Sequence, residues 1–239
     1  MKQLLKKIIE KIIPKKIQNI FIHPILEKHQ QQTVCYAQEG EDLILETFFY
    51  GISNGFFVDI GAYAPIKYSN TYLFYMKGWR GINIDARPES MKDFKKIRPE
   101  DINLEVAVGQ NEEILTYYMF DEPAINGFSK QVSEDRHANT PYKIQRTVEM
   151  PLRRLESILD ENIKPDKVIH FMSIDVEGLD LEVLKSNNWD KYKPLMMLVE
   201  ISVVTEGLGI GSPIDIFLVD KGYKLVAKTY RTSFYQLQK

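Results

Sequence analysis

Gly55-Phe56-Phe57-Val58-Asp59-Ile60-Gly61-Ala62-Tyr63-Ala64-Pro65 decides the fold. A continuous apolar run between glycines, closing on an acid, reads as a strand covered on both faces, as in a parallel α/β sheet. Ser69-Asn70-Thr71 then offers capping side chains for a helix that carries Leu73, Phe74 and Met76 inward and ends at Lys77-Gly78. Open α/β sheets bind ligands outside the carboxyl ends of their strands, near the topological switch point. Asp59 and Gly61 are therefore expected to border a cofactor pocket.

Working outward, Arg80–Asp85 reads as a second strand that again ends in an acid. Pro88 opens a helix burying Met91, Phe94 and Ile97, and Pro99 stops it. Ile102–Val108 reads as a third strand and Ile114–Phe120 as a further extended piece. On the amino-terminal side, Tyr36–Asp42 leads into an apolar helix over Leu43–Phe49. Downstream, Leu152–Asn162 and Leu179–Ser186 read as helices flanking a strand from His170 that runs into Asp175-Val176-Glu177-Gly178. A strand over Leu195–Ile201, a helix near Ile214–Val219 and two closing strands, Lys224–Thr229 and Thr232–Leu237, complete the chain. The alternation predicts a doubly wound α/β fold. Residues 121–147 lack any period and hold Pro123, Asn126-Gly127 and Pro141, so they are expected to form a substrate loop or lid, or an insertion without a role.

With 239 residues the chain can form one large domain or two small ones, and the division expected is an arm over 1–33 and a domain over 34–239. A net charge of −2 gives no global attraction to nucleic acid, and none is expected as a partner. Cys35 stands alone, which points to a reducing, cytoplasmic setting without a disulfide. The scattered histidines and the lone cysteine make no zinc pattern. No apolar run approaches the roughly 20 residues that span a bilayer. Leu4, Leu5, Ile8, Ile9, Ile12 and Ile13 fall on one helical face among lysines, up to Pro14. Such a helix could rest on the anionic inner surface of a membrane, dock on its own domain, or pair with a second subunit.

The turn after Ile60 discriminates among cofactors. Starting the dinucleotide fingerprint at Gly61, the second and third glycine positions fall on Tyr63 and Ile66, and Pro65 removes an N–H. A pyrophosphate would meet side chains, and the P-loop pattern is absent. What remains is an acid before a single glycine, plus Asp85 where a ribose-binding carboxylate is expected. A nucleoside without phosphates and with a cationic, amino-acid-like tail suits two carboxylates; S-adenosylmethionine is one. The competing structural roles are a turn cap for Asp59 and a helix cap for Asp85.

Tyr36-Ala37-Gln38-Glu39-Gly40-Glu41-Asp42, Phe57-Val58-Asp59-Ile60-Gly61-Ala62, Tyr68-Ser69-Asn70-Thr71, Gly81-Ile82-Asn83-Ile84-Asp85 and Ser173-Ile174-Asp175-Val176-Glu177-Gly178, in that order, resemble the FkbM family of S-adenosylmethionine-dependent methyltransferases. The resemblance covers about Tyr36 to Ile201. It implies a class I methyltransferase fold, a seven-stranded, mostly parallel sheet with an antiparallel last strand, and O-methylation of sugars in polysaccharide, lipopolysaccharide or natural-product pathways. It also implies that Gln38, Glu41, Asp59, Gly61, Ala62, Ser69 and Asn70 serve the cofactor and that Asp85 holds its ribose. Many members carry a second glycine where this chain has Ala64-Pro65.

An alcohol is a poor nucleophile at neutral pH, so a base or a metal is expected. Asp175 and Glu177, two apart at a strand's carboxyl end, are the leading candidates, since paired like charges raise one pKa. With Glu200 on the next strand they could instead hold Mg²⁺ against sugar hydroxyls. His137 in the long loop is a further base candidate. The alternatives to a sugar or small-molecule O-methyltransferase are a methyltransferase for protein or nucleic acid and a non-catalytic binding protein of the same fold.

Overall fold

The computed structural model describes residues 33–164, 166–201 and 209–238. The amphipathic helix expected over residues 1–13 lies outside the described residues. From Tyr36 onward the chain forms one compact unit.

Its centre is a seven-stranded sheet of β1 (Phe56–Ile60), β2 (Arg80–Asp85), β3 (Ile102–Glu105), β7 (Phe171–Ile174), β8 (Met196–Glu200), β9 (Tyr223–Lys228) and β10 (Thr232–Leu237), in the order β3-β2-β1-β7-β8-β10-β9. The β1, β2, β3, β7 and β8 strands are parallel, while β10 runs antiparallel to both β8 and β9. Strand order therefore reverses beside β1, between β2 and β7, which opens a crevice at those carboxyl ends. A second sheet, ordered β4-β6-β5, is made by β4 (Ala107–Val108), β5 (Ile114–Phe120) and β6 (Ile144–Arg153).

The two-residue period divides the core into two layers. Val58, Ile60, Ile82, Ile84, Met172, Ile174, Met197 and Val199 face one way, against Leu155, Ile158 and Leu159 of α5 (Leu155–Asn162) and Val183 and Leu184 of α6 (Asp180–Lys185). Phe57, Phe171, Met196, Leu198 and Phe234 face the other way, against Leu45 of α1 (Glu41–Phe48) and Phe74 of α2 (Tyr72–Met76). Asp59, Ser173 and Glu200 follow Phe57, Phe171 and Leu198 by two residues, which turns them toward this second layer. The remaining helices are α3 (Met91–Ile97), α4 (Lys130–Asn139) and α7 (Pro213–Asp220).

Four local readings are corrected. The strand expected over 102–108 breaks at Val106, whose N–H bonds Asp85 O (3.1 Å), and Ala107-Val108 leaves to pair with Leu152-Arg153. Residues 121–147 are not one long loop. They hold a short 3₁₀ turn (Pro123–Ile125), α4 and the start of β6. The α4 helix buries only Ser133 and is polar on every side, so it shows no apolar period; its start is set by Ser129 Oγ accepting the Val132 N–H at 3.3 Å. The α5 helix begins at Leu155, because Pro151 and Leu152 still belong to β6. Met76 points outward at 60% exposure, since five residues of α2 make too few turns to bury both it and Phe74.

Candidate active site

Gly61 joins the carboxyl ends of β1, β2 and β7. Its N–H and that of Ala62 both bond Ile84 O (2.9 and 3.0 Å), and Asp175 N–H bonds Ile60 O at 3.0 Å. Gly61 adopts φ +84°, and a Cβ there would lie 1.7 Å from Asp175 O. Only glycine meets both demands. The turn beyond it opens onto a cavity of about 490 Å³.

Asp59, Gly61, Ala62 and Asp85 border this cavity at the ends of β1 and β2, and Gln38 and Asn70 border it from the α1–α2 side. Asp85 is buried; its Oδ2 accepts the Tyr63 N–H (2.8 Å) and its Oδ1 the Arg87 N–H (2.7 Å). Each oxygen has a lone pair left over, so the carboxylate braces its own loop and can still accept from a ligand. Burial pushes Asp85 above the usual carboxylate range, opposed by these bonds and by Arg87. Asp59 is also buried, accepts the Thr71 hydroxyl at 2.9 Å, and is pushed up to about 6 by burial, with Arg98 and Thr71 opposing. Asn70 Nδ2 donates to Ser173 Oγ at 3.0 Å, tying the cavity wall to β7.

The ends of β7 and β8 close the other side of the cavity. Asp175, Glu177 and Glu200 bring one oxygen each to within 4.8 Å of one another. Asp175 and Glu177 lie just past the strand rather than on it, and Glu177 is held at φ +54°. Burial raises Asp175 well above the usual range, with repulsion from Glu200, Glu177 and Asp180 adding to it. Glu200 is raised too, by burial and then by Glu177. Like charges this close favour one proton shared between Asp175 and Glu200 over two bare anions. Asp175 is exposed at the cavity surface, so repulsion from the three neighbouring acids, more than burial, carries the upward direction.

Glu177 has a different partner. Arg136, on α4, donates from Nη2 to Glu177 Oε2 (2.6 Å) and from Nη1 to Ile125 O (3.0 Å). The segment from Glu122 to Asn126 lines the cavity as well, so the insertion forms one of its walls. Altogether six carboxylates but only three arginines (Arg87, Arg136, Arg231) line the cavity, an acidic surface suited to a cation. A pyrophosphate would be repelled.

Three expected site residues lie elsewhere. His137 is exposed on α4, accepts the Ile144 N–H through Nδ1 (3.1 Å) and does not line the cavity, because it projects from α4 away from Arg136. Glu41 is buried against the chain's end, where its carboxylate accepts the Glu39 N–H (2.8 Å) and the Thr232 hydroxyl (3.1 Å). Ser69 is buried behind the cavity wall, bonded to Thr71 and Tyr72.

The family model for the methyltransferase FkbM domain matches residues 59–225. The chain belongs to the FkbM methyltransferase family. No curated protein matches it. Among solved structures it is similar to the apo structure of CalS11, a TDP-rhamnose 3'-O-methyltransferase of calicheamicin biosynthesis, at 11% identity and a TM-score of 0.38, over 98% of this chain and 91% of that one. The FkbM match begins at Asp59 itself and takes in Gly61, Asp85, the insertion wall and the three clustered acids. The three cavity arginines, Arg87, Arg136 and Arg231, are among the lining residues that sequence reasoning missed. Arg87 follows the strand-end acid by two residues, which is a usable signal; Arg136 sits in a polar helix that offers none.

Proposed function

We propose that this chain is an S-adenosylmethionine-dependent O-methyltransferase whose acceptor is a sugar hydroxyl. One observation carries the reading: a single cavity joins the acids at the ends of β1 and β2 to the acid cluster at the ends of β7 and β8. The donor set fits the cofactor. Asp85 has free lone pairs for ribose hydroxyls, and Asp59 offers a carboxylate to an ammonium group. The acidic lining favours a molecule with two positive centres. When bound, S-adenosylmethionine supplies a methyl group on a sulfonium.

The chain's own contribution is placement and proton removal. The insertion wall and the β7–β8 ends would hold the acceptor oxygen toward the β1 end of the cavity. With that methyl passing from sulfur to the acceptor oxygen, the S–C bond breaking as the O–C bond forms and a neutral thioether leaving, the hydroxyl proton would pass to the Asp175–Glu200 pair, whose pKa is raised above the usual carboxylate range and so suits a base. Glu177, fixed by Arg136, would accept from a neighbouring sugar hydroxyl. Carboxylates and arginine around a partly open pocket suit a polyhydroxylated acceptor better than an apolar one.

A second reading has a specific observation behind it, because the three oxygens within 4.8 Å could hold Mg²⁺. Arg136 and the shared proton already offset the cluster's charge, so a metal would have to displace both. Transfer of labelled methyl into a panel of glycans, lipids, proteins and RNA tests the reading. Label in a glycan, lost in the doubly substituted Asp175→Asn/Glu200→Gln chain and kept in EDTA, is expected. Label confined to protein or RNA contradicts the acceptor class, and loss in EDTA restored by Mg²⁺ favours the metal.

A further inference from the structure

Arg98 is completely buried, one residue past α3, and none of its atoms lines the cavity. Its Nε donates to Asp101 Oδ2 at 2.8 Å, and Nη2 lies 2.8 Å from the same oxygen. Asp101 is fixed in turn by the Gly81 N–H (2.9 Å) and by Asn83 Nδ2 (3.2 Å). The remaining nitrogen, Nη1, donates most closely to Thr71 Oγ1 at 3.0 Å, with Ser69 Oγ at 3.4 Å and Pro65 O at 3.5 Å as more distant acceptors of its second hydrogen.

The direction of each bond in this group follows from donor counting. Arginine only donates. Ser69 Oγ faces the Tyr72 N–H (3.1 Å) and the Thr71 N–H (3.3 Å), with Arg98 Nη1 farther off at 3.4 Å; these donors fill its two lone pairs and leave its proton for Thr71 Oγ1, 3.2 Å away. Thr71 Oγ1 thus accepts from Arg98 and Ser69. Its single proton has one remaining acceptor, Asp59 Oδ2 at 2.9 Å. The donors from Arg98 and Ser69 to Thr71 leave the Thr71 proton directed at Asp59, and a hydrogen bond donated to a carboxylate favours its charged form.

We propose that Arg98, Ser69 and Thr71 form a relay of positioning residues that holds Asp59 as an oriented anion for the ammonium end of the cofactor. The inference rests on the cofactor reading above and adds to it three residues behind the cavity wall. It also explains why an arginine is buried here. Its charge is matched by Asp101, and one Nη1 hydrogen fixes the polarity of Thr71. The charged groups around Asp59 are Arg98, Asp85 and Asp101, and its register neighbours on β2 and β7, Asn83 and Ser173, are neutral. Asp85 shifts in the same sense, so the informative quantity is the difference between variants.

The test compares the full-length chain with Thr71→Val, which keeps the shape and removes the hydroxyl, and with Thr71→Ser, which restores it. Carboxyl carbon NMR, with the Asp59 signal assigned by its loss in Asp59→Asn, gives the titration of Asp59 without any ligand. Calorimetry with S-adenosylmethionine from pH 5 to 8 gives affinity. Thr71→Val is expected to move the Asp59 midpoint upward and to weaken the cofactor roughly tenfold or more near pH 7, with Thr71→Ser close to wild type. An unchanged midpoint and affinity in a folded Thr71→Val chain would overturn the relay. A shifted midpoint in a chain that binds no cofactor at any pH would instead overturn the cofactor reading and, with it, the role assigned here.

Discussion

Gly61 is the residue on which the site's geometry is most sharply constrained. Gly61→Ala would put a methyl group 1.7 Å from Asp175 O in a left-handed turn. The expected cost is about 3 kcal/mol or more, read as a lower urea midpoint, together with displacement of the Asp175 turn. Asp175 and Glu200 make a pH prediction. Because their pair is raised, turnover should rise with pH through a midpoint above the ordinary carboxylate range, and Asp175→Asn should bring that midpoint down toward it. An identical profile for the variant would argue against the pair as proton acceptor. Strand ends made this level legible in advance. Asp59, Gly61, Asp85, Asp175 and Glu200 each close a buried apolar run, and a parallel sheet gathers such ends together. Arg136 and Arg98 were not legible, because what matters about each is a partner 41 or 27 residues away in the chain. His137 has suitable chemistry but lies one position along the same helix from the residue that reaches the cavity, and does not line it.

Among the elements, α4 and the segment before it distinguish this site. The helix buries little, and Arg136 is its anchor, joining it both to Glu177 and to Ile125 O. Replacing Arg136 by Met should loosen α4 with little effect on the central sheet. Amide exchange over residues 130–139 is expected to accelerate by a factor of roughly ten, in keeping with a part-buried charged hydrogen bond worth about 1.5 kcal/mol, while β1 and β7 amides keep their protection. Equal acceleration throughout would mean that α4 is integral to the core. The central strands could be read from sequence because apolar side chains on both faces leave a continuous run. The β6 strand could not, since half of its residues are exposed and it contains Pro151, which reads as a strand breaker in sequence. The β5 and β6 strands pair antiparallel along their length, and β5 buries Tyr117 and Phe120.

The whole molecule carries an electrostatic cost for its cavity. Burial pushes Asp59 up to about 6 and Asp180 up to about 7, and raises Asp85, Asp101, Asp175 and Glu200. A carboxyl raised in the folded chain binds protons more tightly than it does unfolded, so stability falls as pH climbs between the two values. Thermal midpoints should therefore be higher near pH 5 than near pH 8. Asp180→Asn, which keeps an acceptor for the Val176 N–H, should flatten part of that slope. A midpoint rising steadily from pH 5 to 8 would contradict the proposed protonation of the cluster. Stability is thus given up at the pH where an anionic cofactor site and a carboxylate base would work.

The most direct measurement is calorimetric titration of the full-length chain with S-adenosylmethionine and its demethylated product, repeated on Asp85→Ala. One equivalent should bind to the wild-type chain, and the variant should bind at least roughly tenfold more weakly, since it loses the acceptor proposed for the ribose hydroxyls. No binding by the wild-type chain, or equal affinity in a folded Asp85→Ala chain, would contradict the account.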